Sequence, residues 1–135
     1  MGFGDVDNDG DIDLVFDDQD AKAKLFINDG TGHFTNNAAF QSVAQVKIEA
    51  QAVQLVDIDN DFDLDIIVDG KSTPQQLYIN NGDGTFVYQP GVIPAGPGAT
   101  YATDFSDVDN DNDIDGFYIS LSGFDEGTAR NNLVR

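Results

Sequence analysis

The sequence predicts an all-β fold of four-stranded antiparallel sheets, the architecture of β-propeller blades, and three observations carry that prediction. A run of five aspartates on alternate positions occurs three times: DVDNDGDID from Asp5, DIDNDFDLD from Asp57 and DVDNDNDID from Asp107. The first aspartates are separated by 52 and then 50 residues, so the chain is an internal repeat of blade length. Between the acidic runs lie short apolar stretches bounded by Gly and Asn turns, with no sustained helical period.

The second repeat shows each element most plainly. Ala52–Val56 runs apolar into the acidic loop, and Leu64–Val68 leaves it with β-branched residues. Gln76–Asn80 reads as a third strand, and NNGDGT turns it into a fourth at Phe86–Tyr88. Four short strands in about fifty residues make one antiparallel blade. YQPGVIPAGPGAT (88–100) breaks any regular element and reads as the connection to the next sheet. The match extends beyond the loops, because LFINDGTGHF (25–34) and LYINNGDGTF (77–86) both begin 20 residues after their first aspartate. In the third copy the counterpart is Leu133-Val134-Arg135, displaced by an insertion of about six residues within SLSGFDEGTAR. The repeats divide as 1–48 (shortened at its start), 49–98 and 99–135 (shortened at its end). That makes about 2.6 blades, expected to be a segment of a larger propeller with further blades in the parent chain.

Charge narrows the function classes. There are 25 acids against 6 bases, a formal net charge of −19, and the three runs hold fifteen of the acids. Nucleic acid and anionic membranes need a basic surface, so both are disfavoured as partners. No apolar run approaches the ~18 residues of a membrane span, so no membrane insertion is expected. Cysteine is absent, which removes disulfides, thiolate catalysis and thiolate zinc sites. Hydrophobic content of 40% is that of a folded chain, so the acidity must be neutralised by something.

A divalent cation is the neutraliser the spacing suggests. Calcium takes six to eight oxygen ligands in irregular geometry. A nine-residue loop wrapped round such an ion offers carboxylates at positions 1, 3, 5 and 9 and a backbone carbonyl at 7. The candidate ligands are Asp5, Asp7, Asp9, Asp11 and Asp13 in loop one, and Asp57, Asp59, Asp61, Asp63 and Asp65 in loop two. Loop three supplies Asp107, Asp109, Asp111, Asp113 and Asp115. Position 4 is always asparagine (Asn8, Asn60, Asn110), which tolerates the left-handed backbone of a tight wrap. Positions 2 and 8 are always aliphatic, free to point into the sheet. Position 6 wants φ > 0: Gly10 suits it, Asn112 is acceptable, and Phe62 departs from the pattern. An EF-hand is excluded, since its twelfth residue should be glutamate and its flanks helical, whereas here the twelfth is Phe16, Val68 or Tyr118. Zinc lacks His or Cys ligands, and magnesium lacks a phosphate partner.

On these residues the units GFGDVDNDGDIDLVF…KLFINDGTGHF and VQLVDIDNDFDLDIIV…QLYINNGDGTF resemble FG-GAP/VCBS repeats, the blade units of integrin α-type propellers. The resemblance covers essentially the whole chain. It implies calcium in the hairpin loop between the first two strands of each blade, up to three ions. The aspartate side chains at 1, 3, 5 and 9 would then be ligands, and Asp11, Asp63 and Asp113 would give only carbonyls.

No catalytic constellation emerges, and a non-enzymatic role is expected. His33, the single histidine, reads as a surface turn residue, and Asp17, Asp18 and Asp20 as a solvated turn. Phe34 with Phe86, and Phe26 with Tyr78, sit at matching repeat positions and are expected in the core. The function expected is a calcium-binding propeller segment for adhesion or ligand binding in an extracellular or cell-surface protein. The alternative is a non-catalytic propeller part of a secreted enzyme such as a polysaccharide-degrading one. Alternating hairpins place the calcium loops and the NDGTGH and NNGDGT turns at one end of the sheets. The variable loops 17–23, 70–75 and 121–131 and the connections 37–48 and 89–99 fall at the other, where a protein or carbohydrate ligand is expected.

Overall fold

The structure, a computed structural model, describes residues 1–18, 22–44, 50–70, 75–93, 100–111 and 114–120. Three antiparallel sheets follow one another along the chain. The first contains β1 (Gly2–Gly4), β2 (Asp13–Phe16), β3 (Lys24–Asn28) and β4 (Phe34–Asn36), side by side in that order. The second repeats it with β5 (Ala50–Val56), β6 (Asp65–Gly70), β7 (Gln76–Asn80) and β8 (Phe86–Gln89). The third pairs β9 (Thr100–Ser106) with β10 (Asp115–Ser120). The proposed last strand at 133–135 and the insertion within 121–131 lie outside the described residues.

Register repeats with the sequence. Each acidic loop closes a hairpin whose last ladder pair joins the residue before the loop to its ninth position: Gly4 with Asp13, Val56 with Asp65, Ser106 with Asp115. Each turn of the third hairpin likewise joins equivalent pairs, Asn28 with Phe34 and Asn80 with Phe86. These are partial propeller blades, nearly all β and set face to face: two open four-stranded sheets and, among the described residues, a two-stranded third.

The core lies between the sheets, as the two-residue alternation of side chains dictates. On β6, Ile66 and Val68 join Val6, Val15, Leu25 and Phe40 in one cluster between the first two sheets. Ile67, between them in sequence, joins Ile58, Leu77 and Ile93 in a second cluster with Phe105 and Ile114 of the third repeat. The second sheet is therefore buried on both faces, which explains its near-continuous apolar run DIIV.

Two expectations need correction. The sequence shows no sustained helical period, yet the connection 37–48 contains a short helix, α1 (Ala38–Val43). Asn37 caps it, its Oδ1 accepting from the Phe40 N–H at 2.9 Å. Six residues are too few to show a helical period, and such a helix is held by packing. Phe40 supplies that packing, edge-on to Tyr78 and Phe86 with ring centroids 5.2 and 5.4 Å away. Phe34, expected in the core with Phe86, is 40% exposed where Phe86 is 4% exposed. Phe86 is covered by Phe40, and Phe34 has no such residue against it among the described residues. Tyr78 is buried, while Phe26 is half-buried and stacks on Phe16 at 5.5 Å.

Candidate metal centres

The acidic loops are shaped by their own carboxylates before any ion is considered. Asp5 accepts the N–H of Asp9 on Oδ1 at 3.2 Å and that of Gly10 on Oδ2 at 3.0 Å. Asp57 holds loop two in the same way, accepting from Asp61 and Phe62, both at 3.0 Å. In loop three Asp107 Oδ1 accepts from Asn110 and Asp111 at 2.7 and 3.3 Å. Position 5 ties the next turn, with Asp9 accepting from the Asp11 N–H and Asp61 from the Asp63 N–H. The wrap needs left-handed backbone at position 4, and Asn8, Asn60 and Asn110 adopt it with φ of 59°, 62° and 61°. Position 6 is also left-handed: Gly10 has φ 93°, and Phe62 is forced to φ 75° with its ring 90% exposed. Asn112 and Asp113 lie outside the described residues.

Position 9 is a buried acceptor for the sheet. Asp13 takes the Val6 N–H on Oδ2 and the Asn28 N–H on Oδ1, both at 2.9 Å. Asp65 repeats this with Ile58 at 3.0 Å and Asn80 at 2.8 Å, and Asp115 accepts from Val108 at 3.2 Å. Burial raises the carboxyl of Asp13 above its ordinary value and pushes that of Asp65 up to about 7. Asp7 and Asp59, at position 3, are also raised, by burial first and then by neighbouring aspartates.

Three groups of carboxylates converge, with one oxygen from each residue within 4.8 Å of the others: Asp5, Asp7 and Asp13; Asp57, Asp59 and Asp61; Asp107, Asp109 and Asp115. Together they use positions 1, 3, 5 and 9. Asp9, Asp65 and Asp111 stand outside the group of their own loop, as do Asp11 and Asp63. The side chains of those last two lie against the adjoining turns. A Cβ added to Gly30 would come within 2.5 Å of Asp11 Oδ2, and one added to Gly82 equally close to Asp63 Oδ2. The same closeness puts the acidic loops and the NDGTGH and NNGDGT turns at one end of the sheets.

The donor set fits a hard cation. Every converging atom is a carboxylate oxygen, the chemistry calcium selects. Asp7 Oδ1 and Asp115 Oδ1 are buried without a hydrogen-bond partner, which a carboxylate tolerates poorly unless a cation meets it. Among the described residues, Lys24 pairs with Asp18 at 2.9 Å, outside the loops.

The residues that sequence reasoning missed are Asn28 and Asn80, read only as turn formers. Asn80 Nδ2 donates to the Leu64 carbonyl at 3.0 Å and to the Val6 carbonyl of the preceding repeat at 2.7 Å. Its Oδ1 accepts from Gly82 at 3.1 Å. Asn28 does the same for its own loop, donating to the Ile12 carbonyl at 3.2 Å and accepting from Gly30 and Gly32. Their place 15 residues after the ninth aspartate of each loop was the available signal.

Residues 5–68, which span the first loop through the second, match the family model described as an FG-GAP-like repeat. No curated protein matches the chain.

Proposed function

We propose that this chain, whose residues 5–68 are an FG-GAP-like repeat, is a calcium-stabilised propeller segment serving adhesion or ligand binding in an extracellular or cell-surface protein. The observation that carries the reading is the convergence of carboxylates in three loops of one register, with the third beyond the span the family model covers. Asp5, Asp7, Asp9 and Asp13 would hold the first ion with the Asp11 carbonyl. Asp57, Asp59, Asp61 and Asp65 would hold the second with the Asp63 carbonyl. Asp107, Asp109, Asp111 and Asp115, with the Asp113 carbonyl, would hold the third.

Bound calcium supplies positive charge and a multivalent oxygen-binding centre. The chain's residues do the rest. Asp5 and Asp57 organise the loop backbone, and Asp13 and Asp65 fix each loop to its strands. Asn80 ties the second sheet to the first loop. The role is therefore structural, and ligand recognition belongs to the opposite end, on the connections and the loops between second and third strands. Extracellular modules of this kind bind calcium at about 10⁻⁴–10⁻³ M.

Titration calorimetry of the metal-free chain with calcium, against magnesium as control, tests the reading. Calcium binding in that range, with magnesium weaker, supports it; the absence of heat and of competition by chelator overturns it.

A further inference from the structure

The first two acidic loops belong to different sheets and are nevertheless joined to each other directly. Asn8, between Asp7 and Asp9 in loop one, donates from Nδ2 to Asp63 Oδ1 of loop two at 2.6 Å. Asn80 makes a second bridge. Its backbone N–H donates to Asp65 Oδ1 at 2.8 Å, and its Nδ2 donates at 2.7 Å to the carbonyl of Val6, between Asp5 and Asp7. A third contact is steric: a Cβ added to Gly84, in the turn after β7, would stand 3.1 Å from the Asp7 Cβ. Each contact starts on, or next to, a candidate ligand of loop one. Each ends at position 7 or 9 of loop two or on the turn beside it.

Such contacts make the order of one loop depend on the order of the other. Whatever fixes the backbone from Asp5 to Asp9 also fixes the Asn8 amide and the Val6 carbonyl, and so holds Asp63 and Asp65 where loop two closes. Closing loop two is the costlier step, because Phe62 must adopt φ 75° where Gly10 adopts 93° without a side chain. A loop already held from outside loses less conformational freedom when it closes. Charge acts in the opposite direction, since an ion in one loop weakens the field that attracts the next. Stacked sheets lie about 10 Å apart and charge reaches about 8 Å at physiological salt, so the direct hydrogen bonds decide the sign.

We propose that the first two loops bind calcium cooperatively, occupation of loop one raising the affinity of loop two, with Asn8 as the residue that positions Asp63 for it. By linkage, loop two raises the affinity of loop one by the same factor. The coupling rests on calcium in the loops, as proposed above. It makes calcium act on the joint between two sheets as well as on each loop.

Amide-resolved NMR of the full chain, titrated with calcium at physiological salt, gives the test. The Gly10 amide reports loop one and the Phe62 amide reports loop two. Asp5→Asn and Asp7→Asn disable loop one through different ligands and leave every candidate ligand of loop two in place. Asn8→Gly removes the bridging amide and keeps the left-handed backbone accessible. In the parent the Gly10 amide is expected to respond at lower calcium than the Phe62 amide. Both loop-one variants are expected to weaken calcium at Phe62 about fivefold, the low end of couplings between sites. In the Asn8→Gly background, Asp7→Asn is expected to weaken it by less than it does in the parent. A Phe62 response identical in the parent and both loop-one variants overturns the cooperativity and leaves calcium binding standing. A loss confined to Asp7→Asn also overturns it, because the Gly84 contact alone would explain that. A loss of the same size with and without Asn8 removes the role of that residue. Amides of both loops that ignore calcium overturn the calcium reading and the coupling with it.

Discussion

Asn8, at the left-handed turn of the first acidic loop, donates from Nδ2 to Asp63 Oδ1 of the second loop at 2.6 Å. The asparagine required by one loop's backbone thus grips the seventh position of the next. Asp63 therefore has its side chain engaged away from its own loop's carboxylate group. A double-mutant cycle with Asn8→Ala and Asp63→Ala is expected to give a coupling energy of about 1 kcal/mol, the size of a charge-assisted bond open to solvent. Strict additivity of the two denaturant midpoints would show that the contact contributes nothing.

Phe62 carries the clearest local strain. Its φ of 75° costs an L-residue about 1–2 kcal/mol, and its exposed ring recovers nothing by burial. Part of the relief is lost again to glycine's freedom in the unfolded chain. Phe62→Gly is expected to stabilise the fold by about 0.5–1 kcal/mol and to tighten calcium at the second loop. Urea denaturation and calorimetry report the two effects, and a destabilised variant with unchanged affinity would refute the strain argument.

Positions 3 and 9 should separate when each aspartate becomes asparagine. Asp65 accepts two buried backbone N–H groups, so Asp65→Asn turns a donor toward one of them and costs about 1–3 kcal/mol even without calcium. Asp59→Asn removes like charge from a crowded group, so the metal-free chain is expected to be no less stable while calcium affinity falls. Equal losses of stability in EDTA would erase this distinction.

Metal-free stability should rise on acidification. The carboxyls of Asp7, Asp13, Asp59 and Asp65 are raised in the folded chain, so folding favours their protonated forms. That contribution is complete below the ordinary aspartate range and is lost as pH climbs through the raised values, for Asp65 through about 7. Asp29 and Asp83 are lowered by hydrogen bonds from Thr31 and Thr85, and they oppose the trend only in stronger acid. In EDTA the melting temperature is expected to increase from about pH 8 to about pH 5, while the gain from added calcium shrinks as protons compete for the ligands. A metal-free melting temperature that falls over that interval would contradict the assignment.

Most of the fold was legible because its signals are periodic. β-Branched residues on Leu64–Val68 and the Gly/Asn turn after Gln76–Asn80 marked strands, and the repeat itself pointed to matching sheets. The left-handed turns at Asn8, Asn60 and Asn110 followed from residue chemistry alone. What escaped depends on contacts distant in sequence. α1 exists because Phe40 finds Tyr78 and Phe86, and no local pattern of six residues announces that. Phe34 and Phe86 look identical in the repeat and differ only in what covers them. Spacing put Asp13 and Asp65 among the metal ligands, but only the strand register reveals that their oxygens also accept backbone N–H groups from two directions.

The central claim is that three loops of like charge are made compatible with the fold by calcium, and a paired thermal melt tests it most directly. Binding to the folded state alone stabilises by mass action, by about 1.4 kcal/mol per site when calcium is tenfold above its dissociation constant. With three sites, the melting temperature in millimolar calcium is expected to stand several degrees above that in EDTA and to keep rising with calcium concentration. Superimposable melts in EDTA and in millimolar calcium would contradict the account.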